Sequence, residues 1–119
     1  MAGNYDDLKR RTKQLALSII RLHRTLQSGD EGRALGKQIL RSGTSIGANY
    51  RAACRARSKA EFIAKLGIVL EESDETAFWL ELLRDSGLVT PEKVGPLLDE
   101  VDQLTSIFVS SICTAKGQR

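Results

Sequence analysis

The sequence predicts an all-α protein, an antiparallel up-down-up-down four-helix bundle that fills residues 1–119 as one domain. Three observations predict this fold. Apolar residues recur three or four positions apart along four stretches, the spacing that gives a helix one apolar side. The only two prolines, Pro91 and Pro96, leave the first ninety residues free of the strongest helix breaker. Short polar turns separate the stretches, and no strand pattern or internal repeat interrupts them.

The amino-acid composition limits the classes of protein to which this chain can belong. The chain is 41% hydrophobic and 28% charged, which is typical of a soluble globular domain. No apolar run approaches the roughly 20 residues that span a bilayer, and the first residues lack the apolar segment of a secretion signal, so we expect no membrane association. Cys54 and Cys113 are too few for a disulfide framework or a zinc site. We interpret them as reduced thiols, which favours the cytoplasm.

The net charge of +3 conceals an uneven distribution. Residues 1–65 hold fourteen Lys/Arg and five Asp/Glu, whereas residues 66–119 hold four and ten. The two halves can pair within one subunit, which is the simplest interpretation. Alternatively, the acidic half of one subunit meets the basic half of the next, or the basic half meets phosphate.

Helix one is predicted over residues 6–27, beginning near Asp6 or Asp7, whose carboxylates suit a helix N-terminus. Its core stripe comprises Leu8, Leu15, Ile19, Leu22 and Leu26. Its basic opening turn comprises Lys9, Arg10, Arg11 and Lys13. We favour a solvated face for these four residues over a binding patch.

Helix two, predicted over residues 33–57, organises the chain. Its apolar side is opposed by six cations in two groups of three, about 27 Å apart along the axis. These cations are Arg33, Lys37 and Arg41, then Arg51, Arg55 and Lys59. The surface between the two groups carries only small residues, including Thr44 and Ala48. A flat floor between basic clusters predicts a docking surface.

Four further positions of helix two indicate close packing. Gly43 and Gly47 each disfavour a helix interior by up to about 1 kcal/mol, which predicts the close approach of another helix. Ser42 and Asn49 lie on the core side, where an unpaired polar group is destabilising by roughly 1–3 kcal/mol. We interpret them as structural polar residues that fix helix register; a ligand-binding pair is the alternative.

Helix three is predicted over residues 59–85 and helix four over residues 91–114, with a disordered tail at 115–119. Ser58 and Glu61 form a capping box before helix three, and Thr90-Pro91 opens helix four. A second apolar set on helix three faces away from the core: Ile68, Phe78, Trp79 and Leu82. We interpret it as a subunit interface rimmed by glutamates, or else as a sign that the helix ends early.

The run QILRSGTSIGANYRAACRARSKAEFIAKLGIVLEESDETAFWLELL resembles the 23S rRNA intervening-sequence proteins. The resemblance covers roughly residues 5–112 and is most specific at the following positions: Gln38, Arg41, Ser45-Ile46, Ala48-Asn49, Ser58-Lys59, Glu61-Phe62 and Glu81-Leu82. It implies a left-turning antiparallel bundle that assembles as a ring-shaped homopentamer. It also implies kinship with accessory proteins of diversity-generating retroelements, which are basic pentamers that bind nucleic acid and a reverse transcriptase. Ala52 stands where family members usually carry an acidic residue.

Catalytic signatures are missing from the sequence. It has no Gly-rich phosphate loop, no HExxH and no Ser-His-Asp set, and the lone His23 cannot complete a di-metal bundle site. We therefore expect no enzyme activity, metal or cofactor. Two hypotheses remain: an oligomer that binds RNA or DNA through the ten cations named above with little sequence specificity, and a structural or adaptor oligomer whose charged faces join subunits or protein partners.

Overall fold

The computed structural model describes the backbone of residues 2–117 and the side chains of residues 5–117. Four helices follow one another: α1 (Ala2–Arg24), α2 (Asp30–Cys54), α3 (Lys59–Asp85) and α4 (Pro91–Ala115). They form the predicted all-α antiparallel four-helix bundle, 46 Å long and 23 by 21 Å across. Short turns join consecutive helices, so each helix runs against the one before it.

Two helix boundaries differ from the predicted ones for local reasons. α2 begins at Asp30, three residues before the predicted start, because Gly29 supplies the turn with φ +85° and Asp30 and Glu31 suit the first turn. The same helix ends at Cys54 and not at Arg57. The N–H groups of Arg55 and Ala56 bond carbonyls only three residues back, which closes the helix tightly.

The ends of the chain also differ from the prediction. α1 begins at Ala2 and ends at Arg24, whereas residues 6–27 were expected. α4 includes Ala115, and Lys116 and Gly117 form its closing turn, so the described part of the predicted tail is ordered. Gln118 and Arg119 lie outside the described residues.

The predicted caps form in modified versions. The Ser58 hydroxyl accepts the N–H of Glu61 at 3.1 Å, as a capping box requires. The Glu61 carboxylate reaches back one residue further than expected and accepts the N–H of Arg57 at 3.4 Å. Thr90 occupies the N-cap position before Pro91, but its hydroxyl makes no cap bond. Its carbonyl accepts the N–H groups of Lys93 and Val94.

Gly43 and Gly47 of α2 face α1 at close range. A Cβ on Gly43 would lie 2.8 Å from Cγ1 and 2.9 Å from Cγ2 of Ile19, which is completely buried. A Cβ on Gly47 would lie 3.2 Å from the Thr12 hydroxyl. The expected close approach of another helix is therefore confirmed, and that helix is α1.

Hydroxyl groups join the helices inside the core. Thr76 Oγ1 of α3 lies 3.0 Å from Ser42 Oγ of α2 and 2.8 Å from its own helix's Glu72 carbonyl. A hydroxyl has one proton, so when Thr76 donates to that carbonyl, Ser42 donates to Thr76. This hydrogen bond joins α2 to α3. Asn49, half-buried, donates to the Ser45 carbonyl at 2.9 Å within α2 and makes no hydrogen bond to another helix among the described residues.

α1 and α4 make the least contact of any neighbouring pair of helices. A charged clasp joins them near their middle. Arg11 donates two hydrogen bonds to the Glu100 carboxylate, at 3.0 and 2.8 Å, and one to the Gln103 side chain at 3.1 Å. The hydrogen bonds to Glu100 raise the pKa of Arg11 above its ordinary value, although burial opposes the shift. Beyond this clasp, the seam between α1 and α4 opens into a cleft.

Candidate nucleic-acid interface

The ten cations predicted to meet phosphate divide into two sets. Four of them pair with carboxylates of the same chain: Arg10 with Asp7, Arg11 with Glu100, Arg33 with Asp30, and Arg41 with Glu72 and Glu75. The other six make no ion pair with any described residue: Lys9, Lys13, Lys37, Arg51, Arg55 and Lys59. Five of these six side chains are exposed and Lys9 is half-buried. The cations that remain available therefore come from α1, from α2, from Arg55 just after α2, and from the start of α3.

Lys9, Lys13 and Arg51 line a shallow groove of about 220 Å³ between α1 and α2. The remaining lining residues are small: Thr12, Ala16, Thr44, Gly47 and Ala48. No carboxylate belongs to this lining. Since α1 begins at Ala2, Lys9 and Lys13 lie inside the helix and not in the predicted opening turn. The groove joins these two residues, interpreted from the sequence as part of a solvated face, to the small-residue floor of α2. Its unbalanced positive charge suits a phosphate group.

The floor of this groove offers space for a ligand but no free hydroxyl proton. Gly47 lacks the Cβ that would approach the Thr12 hydroxyl. Thr12 donates to the Lys9 carbonyl and Thr44 donates to the Leu40 carbonyl, so both hydroxyl protons are already used within their own helices. An anion in the groove would therefore be bound by Lys9, Lys13 and Arg51, and the small floor residues would leave space for it.

Arg41 has a different role from the one its position on the helical wheel predicts. Its guanidinium extends across to α3 and bonds Glu72 at 3.1 Å and also Glu75. Burial by itself lowers the pKa of Arg41, but the two carboxylates outweigh burial and raise it. Solvent screens this exposed clamp, so it contributes little to stability. It does commit Arg41 to the subunit's own glutamates.

The outward apolar set of α3 is partly open to solvent. Phe78 is 51% exposed and Ile68 is 43% exposed, whereas Trp79 and Leu82 are half-buried. The Arg41 clamp interrupts the set, because Glu72 lies one turn after Ile68 and Glu75 lies one turn before Trp79. The Phe78 and Trp79 rings meet edge to face with centroids 5.1 Å apart. α3 continues to Asp85, so the alternative of an early helix end is wrong.

Trp79 carries an unpaired buried donor. Its indole Nε1 is inaccessible to solvent and has no hydrogen-bond acceptor among the described residues. A buried donor without a partner is destabilising by roughly 1–3 kcal/mol. No sequence signal indicates this donor, because a tryptophan on an apolar stripe is normally interpreted only as a hydrophobic residue.

Two other kinds of site are missing from the described part of the chain. Residues 2–117 contain no helix with both the length and the apolar character needed to cross a membrane. Within the same range, no three His, Cys, Asp or Glu side chains are grouped closely enough to bind a metal ion.

Comparison with known proteins identifies the family. The family model of the 23S rRNA-intervening sequence protein matches residues 7–110. The chain is also similar to a crystal structure from Bacteroides thetaiotaomicron, described as a protein of unknown function from the S23 ribosomal protein family, with 39% identity and a TM-score of 0.83. That match covers 87% of this chain and 96% of the other. No curated protein matches the sequence. The chain belongs to the 23S rRNA-intervening sequence protein family.

Proposed function

We propose that the protein is a non-enzymatic oligomer that binds the phosphate backbone of RNA or DNA through the groove between α1 and α2. The observation that carries this proposal is that Lys9, Lys13 and Arg51 line one groove without any carboxylate in the lining or any ion pair among the described residues. The free Cys54 and Cys113 fit a cytoplasmic location, which we include in the proposal.

The groove favours backbone contact over base recognition. Its lining holds no aromatic side chain on which a base could stack. Its two threonines donate within their own helices, so neither has a proton left to donate to a base edge. Lysine and arginine therefore supply the contacts, and these act mainly through charge. Binding should depend strongly on salt and weakly on sequence.

A labelled 20-nucleotide RNA, titrated with protein and followed by fluorescence anisotropy, tests the proposal. Lys13→Gln combined with Arg51→Gln should weaken binding by about tenfold or more at low salt, since each cation on a phosphate contributes on the order of 1 kcal/mol. The matched control is Lys93→Gln with Lys116→Gln, which removes the same charge from residues that do not line the groove. Equal loss of affinity in both pairs would contradict a specific role for the groove.

Assembly is the second part of the proposal. The family resemblance implies a homopentamer, and the outward apolar set of α3 is our candidate for the contact between subunits. Phe78 and Ile68 leave apolar surface in water, which a neighbouring subunit would cover. A ring would place five grooves on one particle and so raise affinity by avidity.

Light scattering after size-exclusion chromatography tests the assembly. The wild-type protein should elute with a mass near five times 13.1 kDa. Phe78→Ser should reduce that mass, whereas Val109→Ser, which changes a comparably exposed apolar residue on α4, should leave it unchanged. A monomeric wild-type protein would contradict this part of the proposal and leave the groove experiment unaffected.

A structural or adaptor oligomer is the competing proposal. It is favoured by Arg51 and Arg55, which make no ion pair with the described residues and could instead join the basic face of one subunit to the acidic face of the next. Arg51→Glu with Arg55→Glu separates the two proposals. Loss of nucleic acid from an intact oligomer supports phosphate binding. Loss of assembly with unchanged nucleic-acid affinity supports the adaptor, for which a protein partner such as a reverse transcriptase would be sought.

A further inference from the structure

A cavity lies at the open end of the seam between α1 and α4. It measures about 650 Å³, which is within the range of small-molecule sites. The helix ends that meet here are the start of α1, the end of α2, the start of α3 and the end of α4. The cavity lies outside the groove between α1 and α2, and the two share no lining residue.

Aromatic rings line one part of this cleft. The chain has six aromatic residues, and three of them line the cleft: Tyr5, Tyr50 and Phe62. The Tyr5 and Phe62 rings stand edge to face with centroids 6.5 Å apart, and Tyr5 is 40% exposed. Tyr50 is almost fully buried at the back of the cleft. Burial raises the pKa of its hydroxyl and the neighbouring Cys54 thiol adds to the shift, so the phenol stays neutral at any physiological pH.

The α4 wall of the cleft is polar but uncharged. Ser106, Ser110 and Thr114 follow one another at intervals of one turn, and Ser111 lies beside them. None of these four hydroxyls makes a hydrogen bond within the described part of the chain, whereas Thr105 on the same helix donates to the Val101 carbonyl. Free hydroxyls can both donate and accept. They match the mixed donors and acceptors on the edge of a heteroaromatic ring.

Charge narrows the class of ligand further. Asp7 is the only charged residue among the described residues of the lining, and one of its oxygens already accepts a bond from Arg10. Without a cation in the lining, the cleft is poorly suited to a phosphate or carboxylate. It suits a flat, uncharged ring that presents N–H groups to a carboxylate and hydroxyls.

We propose that the α1–α4 cleft binds a heteroaromatic base, presented either as a free nucleoside or as an unpaired base of a single strand. The rings of Tyr5 and Phe62 contact the faces or edges of the base, and the α4 hydroxyls and Asp7 bond its polar edge. Base contact is a property that the basic groove lacks, so this site would add recognition of unpaired bases to a charge-driven protein.

NMR spectroscopy of ¹⁵N-labelled wild-type protein, titrated in parallel with adenosine, guanosine, cytidine and uridine, tests the proposal. At least one nucleoside should shift the amide signals of Tyr5, Phe62 and Ser110 in a saturable way. Ribose alone should not shift them. Because the nucleoside is uncharged, its affinity should change less than about twofold between low and moderate salt, unlike binding in the groove.

Two cleft-filling variants and one matched control complete the test. Ser110→Trp and Ser106→Trp each place an indole in the cleft and should weaken nucleoside binding about tenfold or more. Val109→Trp adds the same side chain on α4 outside the lining and should leave affinity within about twofold. Circular dichroism of each variant confirms that it is folded. If Ser110→Trp and Ser106→Trp weaken nucleoside binding alike, a structural disturbance at one position does not explain the loss.

The source of the base is distinguished with short single strands. An oligonucleotide that binds more tightly than its nucleoside, and whose affinity falls when Ser110→Trp or Ser106→Trp is introduced, identifies a strand base. An oligonucleotide whose affinity those two cleft variants leave unchanged, while they weaken nucleoside binding, identifies a free nucleoside. Absence of saturable shifts for all four nucleosides, or shifts that Ser110→Trp and Ser106→Trp leave intact, would overturn the proposal. In either case the groove proposal would stand or fall on its own experiment.

Discussion

Replacing Gly43 by alanine should destabilise the bundle, although the same change at Gly67 should stabilise it. Both residues lie inside helices, where alanine is favoured over glycine by up to about 1 kcal/mol. A Cβ at Gly67 would meet nothing within 4 Å, so the full gain should appear. A Cβ at Gly43 would lie 2.8 and 2.9 Å from two branch carbons of Ile19. Those carbons belong to a fully buried, β-branched side chain that cannot turn away.

The change in the free energy of unfolding expected for Gly43→Ala combines the helix preference for alanine with the overpacking against Ile19. Overpacking of a core by one methyl group destabilises by about 1–3 kcal/mol. Subtraction of the helix gain leaves Gly43→Ala destabilised by up to about 2 kcal/mol. Urea unfolding followed by circular dichroism, at one fixed protein concentration, measures both variants.

A double substitution tests the cause. Ile19→Ala removes both contacting carbons and is itself destabilising by about 2–5 kcal/mol. In that background, Gly43→Ala should lose its penalty and become stabilising, because the two shortest contacts are gone and only the Cβ of residue 19, at 3.2 Å, remains close. A Gly43→Ala variant as stable as Gly67→Ala in the wild-type background, or a penalty that persists without the Ile19 branches, would refute the proposed close packing of α1 on α2.

Three further predictions address the polar contacts of the bundle. Thr76→Val keeps the side-chain shape but removes the hydroxyl between α2 and α3, and should lower the free energy of unfolding by about 1–3 kcal/mol in urea titrations, because a buried serine is left without its partner. Arg11→Met should be destabilising by about 1–2 kcal/mol, since it leaves the half-buried Glu100 carboxylate on α4 unpaired. The control, Arg10→Met, breaks an exposed ion pair between residues one turn apart and should change stability by less than about 0.5 kcal/mol. The hydrogen bond from Arg84 holds the pKa of Asp85 below its ordinary value, so this interaction contributes stability above the unfolded pKa, and that stability disappears as pH falls through the lower folded pKa. Arg84→Met should return the Asp85 pKa to its ordinary value in a carboxyl NMR titration.

Most of the fold could be predicted because its signals are local. The core stripe of α1 recurs at helical spacing, and all five of its predicted members are buried. Glycine commonly follows the end of a helix, and Gly87 follows α3 with φ +81°. Boundaries were less predictable, since they depend on tight turns such as the one that ends α2 at Cys54. Gly43 and Gly47 predicted that another helix packs closely against α2. They did not predict which helix, because the packing partner depends on contacts between helices and not on local sequence.

The candidate site was predictable only in part, for the same reason. A helical wheel places Arg41 and Arg51 on one side of α2, but only the neighbouring helices decide their partners. Arg41 bonds glutamates of α3, while Arg51 borders a groove with two lysines of α1. The aromatic cleft was missed because Tyr5 and Phe62 belong to different helices. The available signal was topological: in an up-down bundle the start of the first helix and the start of the third meet at the same end.

The salt dependence of nucleic-acid affinity tests the central claim most directly. For single-stranded RNA, the slope of log K against log salt becomes less steep by about 0.7 for each phosphate that the protein no longer neutralises. Lys13→Gln with Arg51→Gln should therefore make the slope less steep by about 1.4, whereas Lys93→Gln with Lys116→Gln should leave it as in the wild type. An unchanged slope in the groove variant, or a wild-type affinity that does not respond to salt, would contradict the assignment of this groove to phosphate.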